Sequence, residues 1–458
     1  MHRWGLLGGL LLVLGSCAST AGLYYAAPQQ LEGVSAEMRR PGFWISRIAD
    51  PDQIVLDARA IDELNRFIVE DKKLRTDLFH RTAPSFESLT QRFAAQIQGM
   101  EKRHLFDSTR KQVGPEFWKQ MRTLVAGPEA GAPEVRWAVA VRFTHQRILP
   151  SDANLNAEVG DVEFDELQNS GVDLGTVLQV FRESTDGQWV FASTDLSEGW
   201  VKTEDLAFTS PEDIQAALAR PFGVVVSARS DAYFEPERRS FRTFLRMGTR
   251  LPLVQAGPWV SEVQVPDRDD GGRLVWNSVW VASPDLSPGY LPYTRRTVIE
   301  QVFKFLHSPY GWGDEFGEQD CSSLMRVVFE SVGVHLPRNS AAQGRAGASW
   351  AKFQKQTPRD ERLARIAEAP AGNTLMQMQG HIMLYLGQYD GRPWAISEIW
   401  AYREDGSTGN RVRVINRTSV TPLDLGTGSP AGSLLERLVN LTEGAPPAPV
   451  SPPALMNP

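Results

Sequence analysis

Cysteine is nearly missing from this 458-residue chain, occurring only as Cys17 and Cys321. Two thiols that are neither paired nor clustered exclude a structural disulfide framework and a Cys-rich zinc site, leaving modification, catalysis or inert burial for each. Positive charge is also short. With 48 Lys and Arg against 55 Asp and Glu, the net charge is −7 and offers no basic field to a nucleic acid, so no such partner is expected. Past the N-terminus, no stretch supplies the roughly eighteen uninterrupted apolar residues of a membrane helix. Histidine is scarce, at seven residues, and none stands with acids at zinc or calcium spacing, so neither metal nor cofactor is implied.

What is present begins at the N-terminus. His2 and Arg3 precede an apolar stretch, Trp4 to Leu14, too short to span a bilayer, and small residues then lead to Cys17. That is the order of an export signal. Leu14-Gly15-Ser16-Cys17 resembles a bacterial lipobox, which implies that Cys17 carries the lipid of a mature N-terminus. Ala18 in place of Asp implies sorting to the outer membrane, so the expected location is the periplasm, lipid-anchored to the outer membrane.

The length predicts about three domains. From Phe43 to Leu124 the apolar spacing of Ile54, Ile61, Leu64, Ile68 and Leu74 is helical, with Asp50 before Pro51 as the expected N-cap. A Gly- and Pro-rich linker at 127–133 follows, and the period changes to two. Val135 to Phe143, Gly175 to Phe181, and Asp186-Gly187 turning into Gln188 to Phe191 read as short strands of a small barrel. A second set, from Phe222 to Pro292, ends as the first does. Gly199-Trp200-Val201 and Gly289-Tyr290-Leu291 match in kind, which suggests a diverged duplication of one barrel. Helix returns beyond Thr297, with Cys321 to Val332 amphipathic, and two strands near His381 and Trp394 meet at an Asp390-Gly391 turn. The expected fold is therefore multidomain α+β, divided as signal and linker (1–27), helical domain (28–128), two small β-barrels (129–212 and 213–295), an α+β domain (296–442) and a disordered Pro-rich tail (443–458).

A cysteine at a helix N-terminus is where a thiolate forms most easily, since free amides and the helix dipole lower its pKa and a neighbouring imidazole serves as acid and base. His381 is the partner expected, opening a strand whose neighbour can carry a third, orienting residue. Such a pair attacks an acyl carbon and passes through a thioester. Taken alone, the two residues leave inert packing open.

Further motifs decide between these. Tyr310-Gly311-Trp312-Gly313, Asp320-Cys321-Ser322-Ser323, Leu336-Pro337-Arg338-Asn339-Ser340 with Gln343, and Gly380-His381-Ile382 through Gly387 together resemble the NlpC-type cell-wall peptidases, a papain-like superfamily, over roughly 300–420. Phe164 to Gln168, Gly199-Trp200-Val201 and Gly289 to Pro292 are similar to the two bacterial SH3-like domains of one architecture in that superfamily, and the helical stretch resembles its stabilising domain. The resemblance implies an endopeptidase cutting the γ-D-glutamyl-diamino acid bond of peptidoglycan peptides, with a free N-terminal L-Ala on the substrate. It implies Cys321 as nucleophile and His381 as base, with Tyr310, Trp312, Asp320, Ser322 and Ser340 lining the substrate groove and Asp320 as counter-charge to the substrate amine. Where many members carry Ile-His to orient the base, this chain has Ile396-Ser397-Glu398; strand alternation favours Ser397 as the third catalytic residue, with Glu398 the chemical rival. The implied partners are peptidoglycan peptides and, through the lipid, the outer membrane, and a monomer is expected. A non-catalytic peptidoglycan-binding lipoprotein that tethers the outer membrane to the wall is the alternative.

Overall fold

The computed structural model describes residues 24–26, 31, 33–126, 135–404 and 411–445. The signal with Cys17, the linker at 127–133 and the tail from 446 onward lie outside the described residues.

Helices come first. Ala58–Arg66 (α1) is capped by Asp57, whose carboxylate accepts from the Ala60 amide at 2.9 Å. Asp50, the expected cap, instead sits in a turn at φ 49°. Phe86–Glu101 (α2) is capped by Ser85, and Pro115–Val125 (α3) opens on a first-turn proline. Their apolar faces diverge. Leu64 and Ile68 join Met38 and Trp44 in a core shared with Val298, Leu324, Val328 and Ile382, far along the chain. Leu89, Phe93 and Ile97 of α2, with Trp118 and Met121 of α3, bury against Leu149, Phe191 and Trp200. The helical stretch expected as one domain over 28–128 thus divides its buried faces between two cores, each shared with later parts of the chain. A 3.6-residue period fixes which face is apolar, not what that face meets.

Two β units follow. The first contains Arg136–Ala140 (β1), Thr144–Arg147 (β2), Gln168–Val172 (β3), Val177–Glu183 (β4), Trp189–Ser193 (β5), Glu198–Lys202 (β6) and Leu206–Thr209 (β7). The second contains Phe222–Val225 (β8), Arg229–Tyr233 (β9), Phe241–Arg246 (β10), Arg250–Gln255 (β11), Val260–Arg268 (β12), Leu274–Ala282 (β13) and Leu286–Pro288 (β14). Their strand orders, β7-β1-β4-β5-β6-β2-β3 and β14-β8-β11-β12-β13-β9-β10, correspond strand for strand. Each has a 3₁₀ turn before its last strand, Thr203–Asp205 in one and Ser283–Asp285 in the other. One plan is used twice, as a diverged duplication requires.

The last unit contains Arg295–Phe303 (α4), Cys321–Glu330 (α5), Ser340–Gln343 (α6), Ala348–Lys352 (β15), Thr374–Met378 (β16), His381–Tyr389 (β17), Arg392–Arg403 (β18), Arg411–Pro422 (β19), Leu434–Arg437 (α7) and Leu438–Glu443 (β20). Its sheet runs β19-β18-β17-β16-β20-β15, and Tyr24–Ala26 adds in parallel at the β19 edge. The β17-β18 turn is made by Asp390 and Gly391, at φ 52° and 69°, the double left-handed pair that a tight hairpin requires. The chain stays packed past the expected boundary at 442, with the Ala348 amide donating to the Ala445 carbonyl at 2.7 Å.

Candidate active site

Asp320 makes the start of α5. Its carboxylate accepts from the amides of Ser322 at 3.0 Å and Ser323 at 2.8 Å, so Cys321 becomes the first helical residue. Helix α5 packs across β17 and β18 and sets the thiol at the start of β17. The Sγ lies 4.0 Å from the Gly380 carbonyl oxygen, and the Ile382 amide is directed at it, so the two neighbours of His381 bracket the sulfur. Nε2 of His381 is 3.1 Å from Ser397 Oγ, which leaves Nδ1 as the ring nitrogen free to take a proton.

Burial governs both ionisable groups. It pushes the Cys321 thiol up to about 12, and the Asp320 carboxylate adds to the rise, against the sequence expectation of a lowered thiol. The helix N-terminus is present, but Cys321 is only 5% exposed, and desolvation of a thiolate outweighs a partial dipole charge. Burial likewise brings His381 down to about 4, and the charge of Arg437 contributes. The pair at rest is a neutral thiol beside a neutral imidazole.

Ser397 and Glu398 point apart, as alternation requires. Ser397 is fully buried against His381, whereas the Glu398 carboxyl accepts from the Thr418 hydroxyl on β19. Burial raises Glu398 to about 9, so it is uncharged at neutral pH and offers nothing to an imidazolium. Of the two, Ser397 is the residue in contact with the imidazole.

Asp320 has a different occupation from the one expected. Arg338 Nη2 lies 2.8 Å from its Oδ2, Arg338 Nη1 lies 3.1 Å from Ser322 Oγ, and the Ser322 hydroxyl donates to Asp320 Oδ1 at 2.8 Å. The carboxylate is therefore already matched and is not a lone counter-charge for a substrate amine. Gln343, at the end of α6, ties this corner down by donating to the carbonyls of Ser322 at 2.7 Å and Pro337 at 2.8 Å. Ser340 opens the same short helix, half-buried. Tyr310 is within electrostatic reach of Cys321, and burial, then the charges of Cys321 and Asp320, keep its phenol protonated.

An aromatic wall stands beside Tyr310. Phe164, from the loop before β3, lies 5.2 Å from the Trp312 ring and 5.2 Å from that of Trp400, at edge-on angles. Gln168 of β3 donates to the Gly313 carbonyl at 2.8 Å and Arg338 donates to Ser170 at 2.8 Å, so the first β unit forms one side of the groove.

Behind the groove runs a chain of ions, most of them buried. Arg338 continues to Asp314 at 3.3 Å, Asp314 to Arg246 of β10 at 2.8 Å, Arg246 to Asp173 at 3.2 Å, and Asp173 to Arg326 of α5 at 3.3 Å. Arg326 pairs with Glu330 at 2.8 Å, Glu330 with Arg75 at 3.6 Å, and Arg75 with Asp195. Burial opposes ionisation of Asp314, but Arg338, Arg246 and Arg326 outweigh it and hold the carboxyl well below the ordinary range. Asp314 has a left-handed backbone, φ 67°, a strain that its two arginines are placed to offset. Sequence reasoning gave no site role to Arg246, Asp314, Phe164 and Trp400. Phe164 and Arg338 left a signal, as members of the Phe164 to Gln168 and Pro-Arg-Asn-Ser motifs.

Residues 307–391 match the NlpC/P60 family model, and residues 154–202 match that of the SH3 domain of the SH3b1 type. A gamma-D-glutamyl-L-lysine dipeptidyl-peptidase of Bacillus cereus is 24% identical over 160 residues, 34% of this chain and 46% of the relative, so the match spans about half of that protein. The solved structure of an NlpC/P60 endopeptidase from Photobacterium damselae subsp. piscicida superposes with a TM-score of 0.71 at 18% identity, over 87% of this chain and 96% of that one. That likeness shows a shared fold reaching well beyond the peptidase domain. Over the matched residues the chain thus resembles an NlpC/P60 domain preceded by an SH3b1-type domain.

Proposed function

We propose that this chain, built on an NlpC/P60 domain and an SH3b-type domain, is a cell-wall cysteine endopeptidase that hydrolyses the γ-D-glutamyl-diamino acid bond of peptidoglycan stem peptides or muropeptides bearing a free N-terminal L-Ala. The observation that carries it is Cys321 at the capped start of α5, with its sulfur between the neighbours of His381 and Ser397 on the far ring nitrogen. His381 Nδ1 takes the thiol proton as Sγ attacks the γ-carbonyl carbon, forming a tetrahedral intermediate. The Cys321 amide and the protonated Tyr310 phenol stand as donors toward the developing oxyanion. The imidazolium returns its proton to the leaving amine, a thioester remains on Cys321, and water attacks that thioester by the reverse proton route. Ser397 accepts from Nε2–H and fixes the tautomer. The aromatic wall closes the acyl side and limits it to short stems. The lipobox at Cys17 supports attachment to the outer membrane in the periplasm, and Cys17→Ser is expected to move the protein out of outer-membrane fractions.

Mass spectrometry of a digest of defined muropeptides with lipid-free protein tests the assignment. L-Ala-D-Glu is the expected acyl product, and intact muropeptides that stay bound would favour the non-catalytic tether. The acid limb of the rate gives a second check. Because His381 is held low, its base form persists as pH falls and is lost only near pH 4, so kcat/KM should hold steady below the ordinary imidazole pKa of about 6.5. The same lowered pKa means that protonation of His381 favours the unfolded chain, so its contribution to stability is present above about pH 6.5 and is lost as pH falls toward 4. A rate profile that bends at about 6.5 would contradict a buried neutral base.

A further inference from the structure

From His381 the sheet extends in two directions. Toward β18 lie Ser397, Trp400 and the wall completed by Phe164 of the first β unit. Toward β16 and β20 neither β unit supplies a sheet neighbour. Met378 of β16 pairs with His381 on one side and with Leu438 of β20 on the other, so His381 and Leu438 sit two strands apart, roughly 10 Å, in one row of the sheet. Arg437, the last residue of α7, immediately precedes Leu438.

Arg437 is half-buried, and among the described residues its guanidinium makes neither an ion pair nor a hydrogen bond. Arg403, at the end of β18, is exposed and equally unmatched among them, and its charge bears on Arg437. The arginines behind the groove are matched differently. Arg338, Arg246 and Arg326 behind the groove each hold a carboxylate at 2.8 to 3.3 Å. Burial disfavours the charge of Arg437, which also bears on the imidazole. A partly desolvated guanidinium with no counter-ion is costly, and its planar fork matches a carboxylate.

We propose that Arg437, assisted by Arg403, forms a carboxylate subsite for the leaving half of the substrate. The inference rests on the peptidase function proposed above. The direction follows from the chemistry: the imidazolium delivers its proton to the leaving amine, and the aromatic wall closes the opposite side, so the departing residue extends from His381 across β16 toward α7. Its anion is either the side-chain carboxylate of a diamino acid such as meso-diaminopimelate or the C-terminal carboxylate of a tripeptide.

Four peptides separate these sources: L-Ala-γ-D-Glu linked to meso-diaminopimelate or to L-Lys, each as C-terminal acid and as C-terminal amide. Cleavage is followed in the parent and in Arg437→Gln, and binding is followed by calorimetry in Cys321→Ala with and without Arg437→Gln. The parent should prefer the peptides with the recognised carboxylate by about tenfold in kcat/KM, through KM, and Arg437→Gln should bring that ratio close to one, with Arg437→Lys restoring part of it. A preference that follows the side chain names the diamino acid as the source, and one that follows the C-terminus names the tripeptide acid. Equal losses on all four peptides, or an unchanged ratio in both turnover and binding, would overturn the subsite. Cleavage of none of the four by the parent would instead overturn the peptidase assignment, and the calorimetric ratio would still decide the subsite.

Discussion

The two β units share one strand plan and are put to different uses. The first turns β3 and the loop before it toward the groove: Phe164 completes the aromatic wall, Gln168 holds the Gly313 carbonyl, and Ser170 meets Arg338. The second reaches the same region from behind, through Arg246, which is 2% exposed and joins Asp173 of the first unit to Asp314 beside the groove. Its outer face carries Trp259, 83% exposed, away from these contacts. A duplicated scaffold can thus be divided between shaping a site and bracing it, with the loops and the buried charges deciding which.

The comparison is most open to attack at Arg246. Replacing it by Met leaves Asp314 and Asp173 partly unmatched in the interior, and the expected loss is about 3–5 kcal/mol of unfolding free energy by denaturant titration. A variant as stable as the parent would reduce the second unit to a bystander. Phe164→Ala attacks the other half. Without its ring the wall is open between Trp312 and Trp400, and KM on short stems is expected to rise about tenfold, with longer stems accepted better than by the parent. Should Phe164→Ala destabilise the fold and spare KM, the division between shaping and bracing would fail.

Within the site, Ser397→Ala is expected to lower kcat about tenfold, since a neutral hydrogen bond contributes about 0.5–1.5 kcal/mol. Glu398→Gln should change it less, because the carboxyl is already uncharged near neutrality. The reverse order would assign the imidazole to the carboxyl. Smallest of all, Trp259→Ser should stay within about 0.5 kcal/mol of the parent in stability, and within error in kcat, as expected for a side chain with little packing to lose.

What was legible in the sequence was local. The helix that opens at Cys321 has its own apolar period, Asp390-Gly391 is a turn with its own conformational demand, and strand alternation separates Ser397 from Glu398 once His381 opens the neighbouring strand; the capping by Asp320 was read only from the structure. The ion chain was not legible. Arg246 and Asp314 are 68 residues apart, and Arg326 and Asp173 are 153 apart, so no periodicity or spacing links them. The same limit hid the aromatic wall, whose rings come from three separate segments, and the division of the helices between two cores. The direction of the Cys321 shift was misjudged for a related reason. The helix start is written in the sequence, whereas the depth of burial depends on how distant segments close over it.

The central claim is that Cys321 attacks the γ-D-glutamyl carbonyl and carries the acyl group. Acid quenching during turnover of L-Ala-γ-D-Glu-meso-diaminopimelate, followed by mass mapping, tests it most directly. The account predicts an L-Ala-D-Glu acyl adduct confined to the peptide containing Cys321, with no product from Cys321→Ala. Turnover without an adduct, together with parent-rate cleavage by Cys321→Ala, would contradict it.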